Sequence, residues 1–139
     1  MGALTPALRE FLDAQRVGAL ATTAKSGRPR QSLVYYVRDG DALLISTEGQ
    51  RFKAKDVVRT GWASLCVMGH ERPYPSATFS GAAEILTRDI GRPTAAVMQR
   101  VADLPEPPDP QTDDALAAVG RVVLRIAIDR VSAVSHLSA

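Results

Sequence analysis

The sequence predicts a mainly β protein with short helices, in which six antiparallel strands form a small barrel. Three observations carry that expectation. Short β-rich segments recur along the chain with turn residues between them. Asp39-Gly40 is a strong two-residue hairpin signal. The helical stretches are short and scattered, unlike the regular crossovers of a parallel sheet.

Each element has a local reason. Thr5 can cap a first helix with Pro6 at its first position, and Leu8, Phe11 and Leu12 share one face up to about Gln15. Residues 17–23 are small, apolar and β-branched, which favours a strand. Lys25-Ser26-Gly27-Arg28-Pro29 is a turn. Residues 30–37, with Val34, Tyr35, Tyr36 and Val37, read as a second strand, and 42–47 pairs back as a third.

A basic helix spans 51–59 and ends at Gly61; strands follow at 63–68 and 76–87, the latter with Gly81 at a bulge or tight bend. Pro93 opens a helix over 93–101, with Val97 and Val101 expected inward and Met98 beside them. Residues 104–112 carry four prolines and form an extended linker. The sixth strand covers 119–128, with Val122, Leu124, Ile126 and Ile128 alternating, before a short tail.

Composition narrows the function. With 139 residues, 45% hydrophobic and 23% charged, the chain is expected to form a single domain over 1–139 with a real core. One cysteine, Cys66, excludes an intrachain disulfide. No apolar run approaches the roughly 18 residues of a membrane span, and the N-terminus does not read as a signal peptide. The expected location is cytoplasmic. Net charge is only +2, and aromatic residues are 5%, so a nucleic-acid partner is not expected. Charge is segregated, however. Eight basic residues against four acidic ones between Lys25 and Arg59 give a local +4, whereas five acids and no base lie between Val101 and Asp114. A local positive field suits a small polyanion.

Several chemistries lack their residues. The three-glycine dinucleotide pattern and the phosphate loop are absent. His70, His136 and Cys66 are too few to ligate a structural zinc, so no metal is expected. No serine occupies a nucleophile elbow, Cys66 reads as a small core residue in a strand, and no catalytic acid or base stands out.

The segment Ser46-Thr47-Glu48-Gly49-Gln50-Arg51-Phe52-Lys53-Ala54-Lys55 is different. A strand ends in two hydroxyls, a glycine permits a turn, and a helix begins among cations. Free N–H groups at the helix start favour an anion, Arg51 can grip a phosphate in two places, and Lys53 adds a compact charge. The alternative is a solvated amphipathic helix with Phe52 and Val57 turned inward. Glu48 favours that alternative, because a carboxylate repels a phosphate.

The order of these motifs, from the Ser-Gly-Arg-Pro turn and Tyr35-Tyr36 through the Ser-Thr strand end, the Arg-x-Lys helix, Ala63-Ser64-Leu65-Cys66-Val67 and Ser80-Gly81-Ala82-Ala83-Glu84, resembles the flavin/deazaflavin oxidoreductase superfamily. Its split β-barrel is shared with pyridoxamine 5′-phosphate oxidase. The chain is most similar to the branch that uses the deazaflavin coenzyme F420, over about 17–86 and 121–131. The resemblance implies a homodimer with cofactor sites at the subunit interface. It places phosphate contacts on Arg51 and Lys53 and hydroxyl contacts on Ser46 and Thr47. Ring contacts fall on residues 31–34, with Ser32 the leading polar group.

Pyridoxamine-phosphate oxidases carry an arginine for the flavin phosphate where this chain has Gln31; Arg30 stands next to it and is the candidate replacement. The C-terminal residues that those oxidases use for pyridoxal phosphate have no evident counterpart. The resemblance therefore implies an F420-dependent reductase of a quinone, enone, tetrapyrrole or similar molecule. The alternatives are a flavin mononucleotide (FMN) enzyme and a non-catalytic F420-binding protein. Tyr36 and Arg72 are candidate proton donors.

Overall fold

The computed structural model describes residues 4–137. Its elements are α1 (Pro6–Ala14), β1 (Val17–Thr23), β2 (Pro29–Tyr35), β3 (Val37–Asp39), β4 (Ala42–Glu48), α2 (Phe52–Thr60), β5 (Trp62–Met68), β6 (Ser76–Leu86), α3 (Gly91–Ala102), α4 (Asp113–Ala118) and β7 (Arg121–Ser135). No described helix is long and apolar enough to cross a membrane.

All seven strands form one antiparallel sheet in the order β2-β1-β5-β6-β7-β4-β3. The two edge strands, β2 and β3, are neighbours in sequence and are separated by Tyr36 alone. The sheet must therefore curl until its edges nearly meet, which makes it a barrel. Tyr36 secures this corner. Its N–H donates to Arg16 O at 3.1 Å and its fully buried hydroxyl donates to Leu12 O at 2.6 Å.

The corner accounts for the strand count. The sequence reading makes 30–37 one strand because the β-propensity is unbroken there. In the fold, 29–35 pairs with β1 and 37–39 pairs with β4, so one expected strand becomes two and six become seven.

Inside the barrel, Leu8, Phe11 and Leu12 of α1 pack with Leu20, Phe79, Leu124 and Ile126. Thr5 caps α1, accepting from Leu8 N at 3.2 Å. A second cluster, Leu44, Ile90, Leu116 and Val123, fixes α3 and α4 to the outer side of β4 and β7. This is why Val123 is buried as well as its alternating neighbours.

Gly81 lies where the β6–β7 register shifts, pairing with Ile128 while Ser80 pairs with Arg130. A Cβ on Gly81 would stand 1.9 Å from Ala127 O, so the strands can approach only because glycine is there.

Other expectations are corrected. A helix, α4, occupies Asp113–Ala118 between the linker and the last strand. Thr112 caps it by accepting from Ala115 N, and Asp113 and Asp114 suit its first turn. The last strand begins at Arg121 and runs to Ser135, replacing most of the expected tail. Cys66 is exposed, because β5 directs Cys66 and Met68 outward while Leu65 and Val67 fill the core. Val97 is buried as expected, but Val101 is exposed.

Candidate functional site

The site begins at the end of β4. Pairing of Ser46, Thr47 and Glu48 with Val123, Val122 and Arg121 of β7 fixes this strand end. The chain then turns through Gly49 and Gln50 into α2. Arg51 sits at the helix N-cap with extended backbone, and its side chain makes no capping bond. The opening of α2 is thus free of a competing side-chain acceptor.

These residues form one wall of a pocket of about 390 Å3, lined by Ser46, Thr47, Glu48, Arg51 and Lys53. Leu33, Val34 and Tyr35 of β2 and Val97, Met98 and Val101 of α3 supply the opposite walls. Arg121 closes it, brought in by β4–β7 pairing across 73 residues of sequence from Glu48. Arg121 is not among the site residues expected from sequence, and Val97, Met98 and Val101 are expected there only as a helix face, not as part of a site. Only the contact of β4 with β7 and α3 reveals them.

The pocket is cationic. Burial, followed by the neighbouring Arg51 guanidinium, lowers the pKa of the Lys53 ammonium below the usual lysine range. Glu48 is the single acid on the walls, and it is already engaged with Arg51 Nε at 3.2 Å. Among the described residues, Lys53 and Arg121 make no ion pair with a side-chain carboxylate. Ser46 Oγ is buried and has no hydrogen-bond partner among the described residues. An orphaned hydroxyl on a residue that shares its pocket with three cations is chemically suited to a phosphate oxygen, since burying a polar group unpaired carries a free-energy cost.

Four of the residues expected at a phosphate site, Ser46, Thr47, Arg51 and Lys53, therefore share one pocket. Gln31, Ser32 and Arg30 do not line it. Gln31 faces outward on β2, and Ser32 pairs with Leu20 in the sheet. Arg30 is committed elsewhere: its Nε donates to Asp56 Oδ2 at 2.8 Å and its guanidinium lies 4.5 Å from the Phe52 ring centroid.

Asp56 is the hub of that neighbouring network. At 2% exposure it also accepts from Thr22 Oγ1 at 2.8 Å and from Arg59 at 3.3 Å. Burial alone would raise the Asp56 carboxyl, but hydrogen bonds from Arg30, Thr22 and Arg59 outweigh it and hold the pKa below the usual range. Arg59 donates further to Thr23 O. The network pins α2 to β1 and β2 and so aims the start of the helix at the pocket. Val57 is turned inward, but Phe52 is 64% exposed beneath Arg30.

Neither candidate proton donor is in the pocket. Tyr36 is sealed in the corner, where burial drives its phenol pKa far upward against the opposing Arg100 charge. Arg72 lies in the exposed loop before β6, against Tyr74. The phenol that reaches the pocket is Tyr35. No group of three or more His, Cys, Asp or Glu that could hold a metal ion occurs among the described residues.

A barrel closed through a one-residue corner, with a basic pocket where β4 meets α2, is the split-barrel class. Within it, the chain belongs to the pyridoxamine 5′-phosphate oxidase family, whose model matches residues 4–135. Among solved structures it is similar to an F420 reductase, with 22% identity and a TM-score of 0.74, covering 93% of this chain and 98% of that one. A conserved hypothetical protein from Mycobacterium tuberculosis gives 23% identity and a TM-score of 0.72 over 94% and 84% of the two chains. An FAD-binding protein from Mesorhizobium loti gives 28% and 0.65 over 88% and 87%. No protein of curated function matches significantly.

Proposed function

We propose that this protein is a coenzyme F420-dependent reductase acting as a homodimer on a small organic acceptor of the quinone, enone or tetrapyrrole type. The observation that carries the reading is the orphaned Ser46 hydroxyl in a pocket with Arg51, Lys53 and Arg121. A phosphodiester followed by a carboxylate tail offers several separated negative charges, and three cations spread around one pocket complement it. Arg30 favours the same reading. The FMN alternative assigns it to the flavin phosphate, whereas here it is bound to Asp56 and turned from the pocket.

When bound, the reduced deazaflavin supplies a hydride at its ring carbon C5. The chain's own part is to hold and orient. Arg51, Lys53 and Ser46 grip the phosphate, while Leu33, Tyr35 and Met98 offer the ring an apolar surface that the second copy would shield from water. No acid–base pair is needed, because water can return the substrate proton.

A pocket of about 390 Å3 takes the phosphate and its adjoining chain but not a whole coenzyme. This supports a second copy as the other wall. The surface suited to that copy is the outer face of β2, β1 and β5, where Leu33, Ala19 and Cys66 align across the sheet. Leu33 is 78% exposed, and Tyr35 and Met68 are exposed on the same strands.

The test is a side-by-side equilibrium titration with F420 and FMN, following coenzyme fluorescence. Micromolar or tighter F420 binding with FMN at least tenfold weaker is expected. Preference for FMN, or binding of neither, overturns the cofactor assignment. Tight F420 binding with no turnover of any acceptor leaves a binding protein and overturns the reductase assignment.

A further inference from the structure

The proline-rich stretch 104–112 is more than a linker. It leaves the end of α3, where Leu104 N–H donates to Gln99 O at 3.0 Å and Gln99 Nε2 donates to Leu104 O at 3.3 Å. It returns to the start of the same helix. There the Asp113 carboxylate accepts from Asp89 N at 2.9 Å and Ile90 N at 3.1 Å. A Cβ on Gly91 would lie 2.4 Å from Gln111 O, so glycine lets the strap touch down. The helix is about 18 Å long, and eight extended residues reach about 25 Å, enough to run back along it. Prolines 105, 107, 108 and 110 lack N–H donors and favour extended backbone, which keeps the strap stiff and unpaired.

Beneath this strap is a cavity of about 440 Å3, within the size range of small-molecule sites. Its inner walls are apolar, formed by Ala95, Met98, Leu104, Leu116 and Val119. Asp109, Gln111 and Arg121 add polar groups to the lining, and Thr94 is the buried one among them. Thr94 is only 8% exposed, lines the cavity, and its Oγ1 is buried with no hydrogen-bond partner among the described residues. In a helix this hydroxyl can bond to the carbonyl four residues back, yet here it does not. A buried, unpartnered donor on a residue that lines a mainly apolar cavity is suited to orienting a ligand oxygen.

We infer that the cavity under the strap binds a small, mainly apolar molecule carrying one carbonyl oxygen, which accepts a hydrogen bond from Thr94 Oγ1. Met98 and Arg121 line both this cavity and the cationic pocket, so the ligand sits against the anion site. The inference goes beyond the cofactor reading and depends on the cavity alone.

The test uses 1-tetralone and its hydrocarbon analogue tetralin, without coenzyme, followed by equilibrium dialysis and protein NMR shifts. The protein should bind both, the ketone about fivefold more tightly, the worth of one neutral hydrogen bond. Thr94→Val keeps the shape of the side chain and should bring the ketone down to the tetralin affinity. Ala102→Trp, on an exposed residue at the cavity rim, should block both. Binding of neither compound, or binding unchanged in Ala102→Trp, overturns the pocket. A ketone preference that survives in Thr94→Val overturns the assigned ligand class. Because F420 is absent, none of these outcomes depends on the cofactor titration.

Discussion

Lys53 and Ser46 show how a single side chain reveals its task through what it lacks. Lys53 holds its charge against burial and a neighbouring guanidinium, so its proton leaves at lower pH than from an ordinary lysine. In the proposed complex, a bound phosphate would supply the missing counter-charge. Coenzyme affinity should therefore decline on the alkaline side before the ordinary lysine value of about 10.4, and Lys53→Arg should move the decline upward. Titrations across pH check this; a decline at the same pH in both proteins removes Lys53 from the site. Lys53→Ala should weaken binding by about 1.5–3 kcal/mol.

Ser46→Ala separates structure from binding. The hydroxyl has no partner to lose, so thermal stability should hold or rise slightly, while coenzyme affinity falls by about 0.5–1.5 kcal/mol. A stability loss with unchanged affinity would mean that the hydroxyl serves the fold.

Ser46, Thr47, Arg51 and Lys53 were legible in sequence because a strand end, a turn and a helix start lie within eight residues, and local chain geometry brings them together. Arg121 and Met98 were not, because their approach depends on pairing and packing between distant segments. Arg30 misled for the same reason. Its sequence neighbourhood suggests a phosphate, but its partner Asp56 is 26 residues away on α2.

At the level of elements, α2 depends on one buried carboxylate. Asp56 joins Thr22 on β1, Arg30 on β2 and Arg59 on α2 itself. Removing it strands those donors. Asp56→Ala should cost about 2–4 kcal/mol, toward the low side for a buried ion pair because Arg30 and Arg59 are part solvated. The folded pKa of Asp56 lies below its unfolded value, so the stability it contributes is complete above the unfolded pKa of about 4. That stability is lost as pH falls through the lower, folded value. Urea melts at descending pH should show a decline in the wild type that is smaller in Asp56→Ala.

The β6–β7 pair has its own sensitive point. Gly81→Ala brings a methyl group against Ala127 O, and about 3 kcal/mol of destabilisation is expected from overpacking. Urea denaturation measures it, and a loss under about 1 kcal/mol would show that the strands can separate cheaply. The glycine was readable as a bulge, whereas α4 was missed despite its Thr112 cap. Its six residues follow a proline-rich stretch whose composition dominates the local signal.

For the whole molecule, the exposed apolar face on β2, β1 and β5 is where the proposed homodimer would form. The proposal of a homodimer expects sedimentation equilibrium to give twice the chain mass at micromolar concentration. Leu33→Glu should dissociate it while leaving the fold intact, because Leu33 is exposed and contributes nothing to the core. A wild-type monomer under the same conditions, with coenzyme present, would refute the dimer. Cys66 belongs to this scale too. Its apolar neighbours in sequence suggested the core, but strand alternation alone cannot say which face of a sheet is inside.

The sequence by itself determined the mainly β class, the antiparallel order of most elements, the capped first helix and the hydroxyl-and-cation cluster of 46–53. Each of these rests on propensity, periodicity or turn chemistry acting within a few residues. Only the tertiary structure decided that the chain breaks at Tyr36 to bring the sheet edges together, that Arg30 answers Asp56, that Arg121 completes the pocket, and that residues 104–112 bridge a cavity. Those outcomes depend on which distant segments pair and which face is buried. That selection is made by the free energy of closing the whole barrel, and no short stretch of sequence contains it.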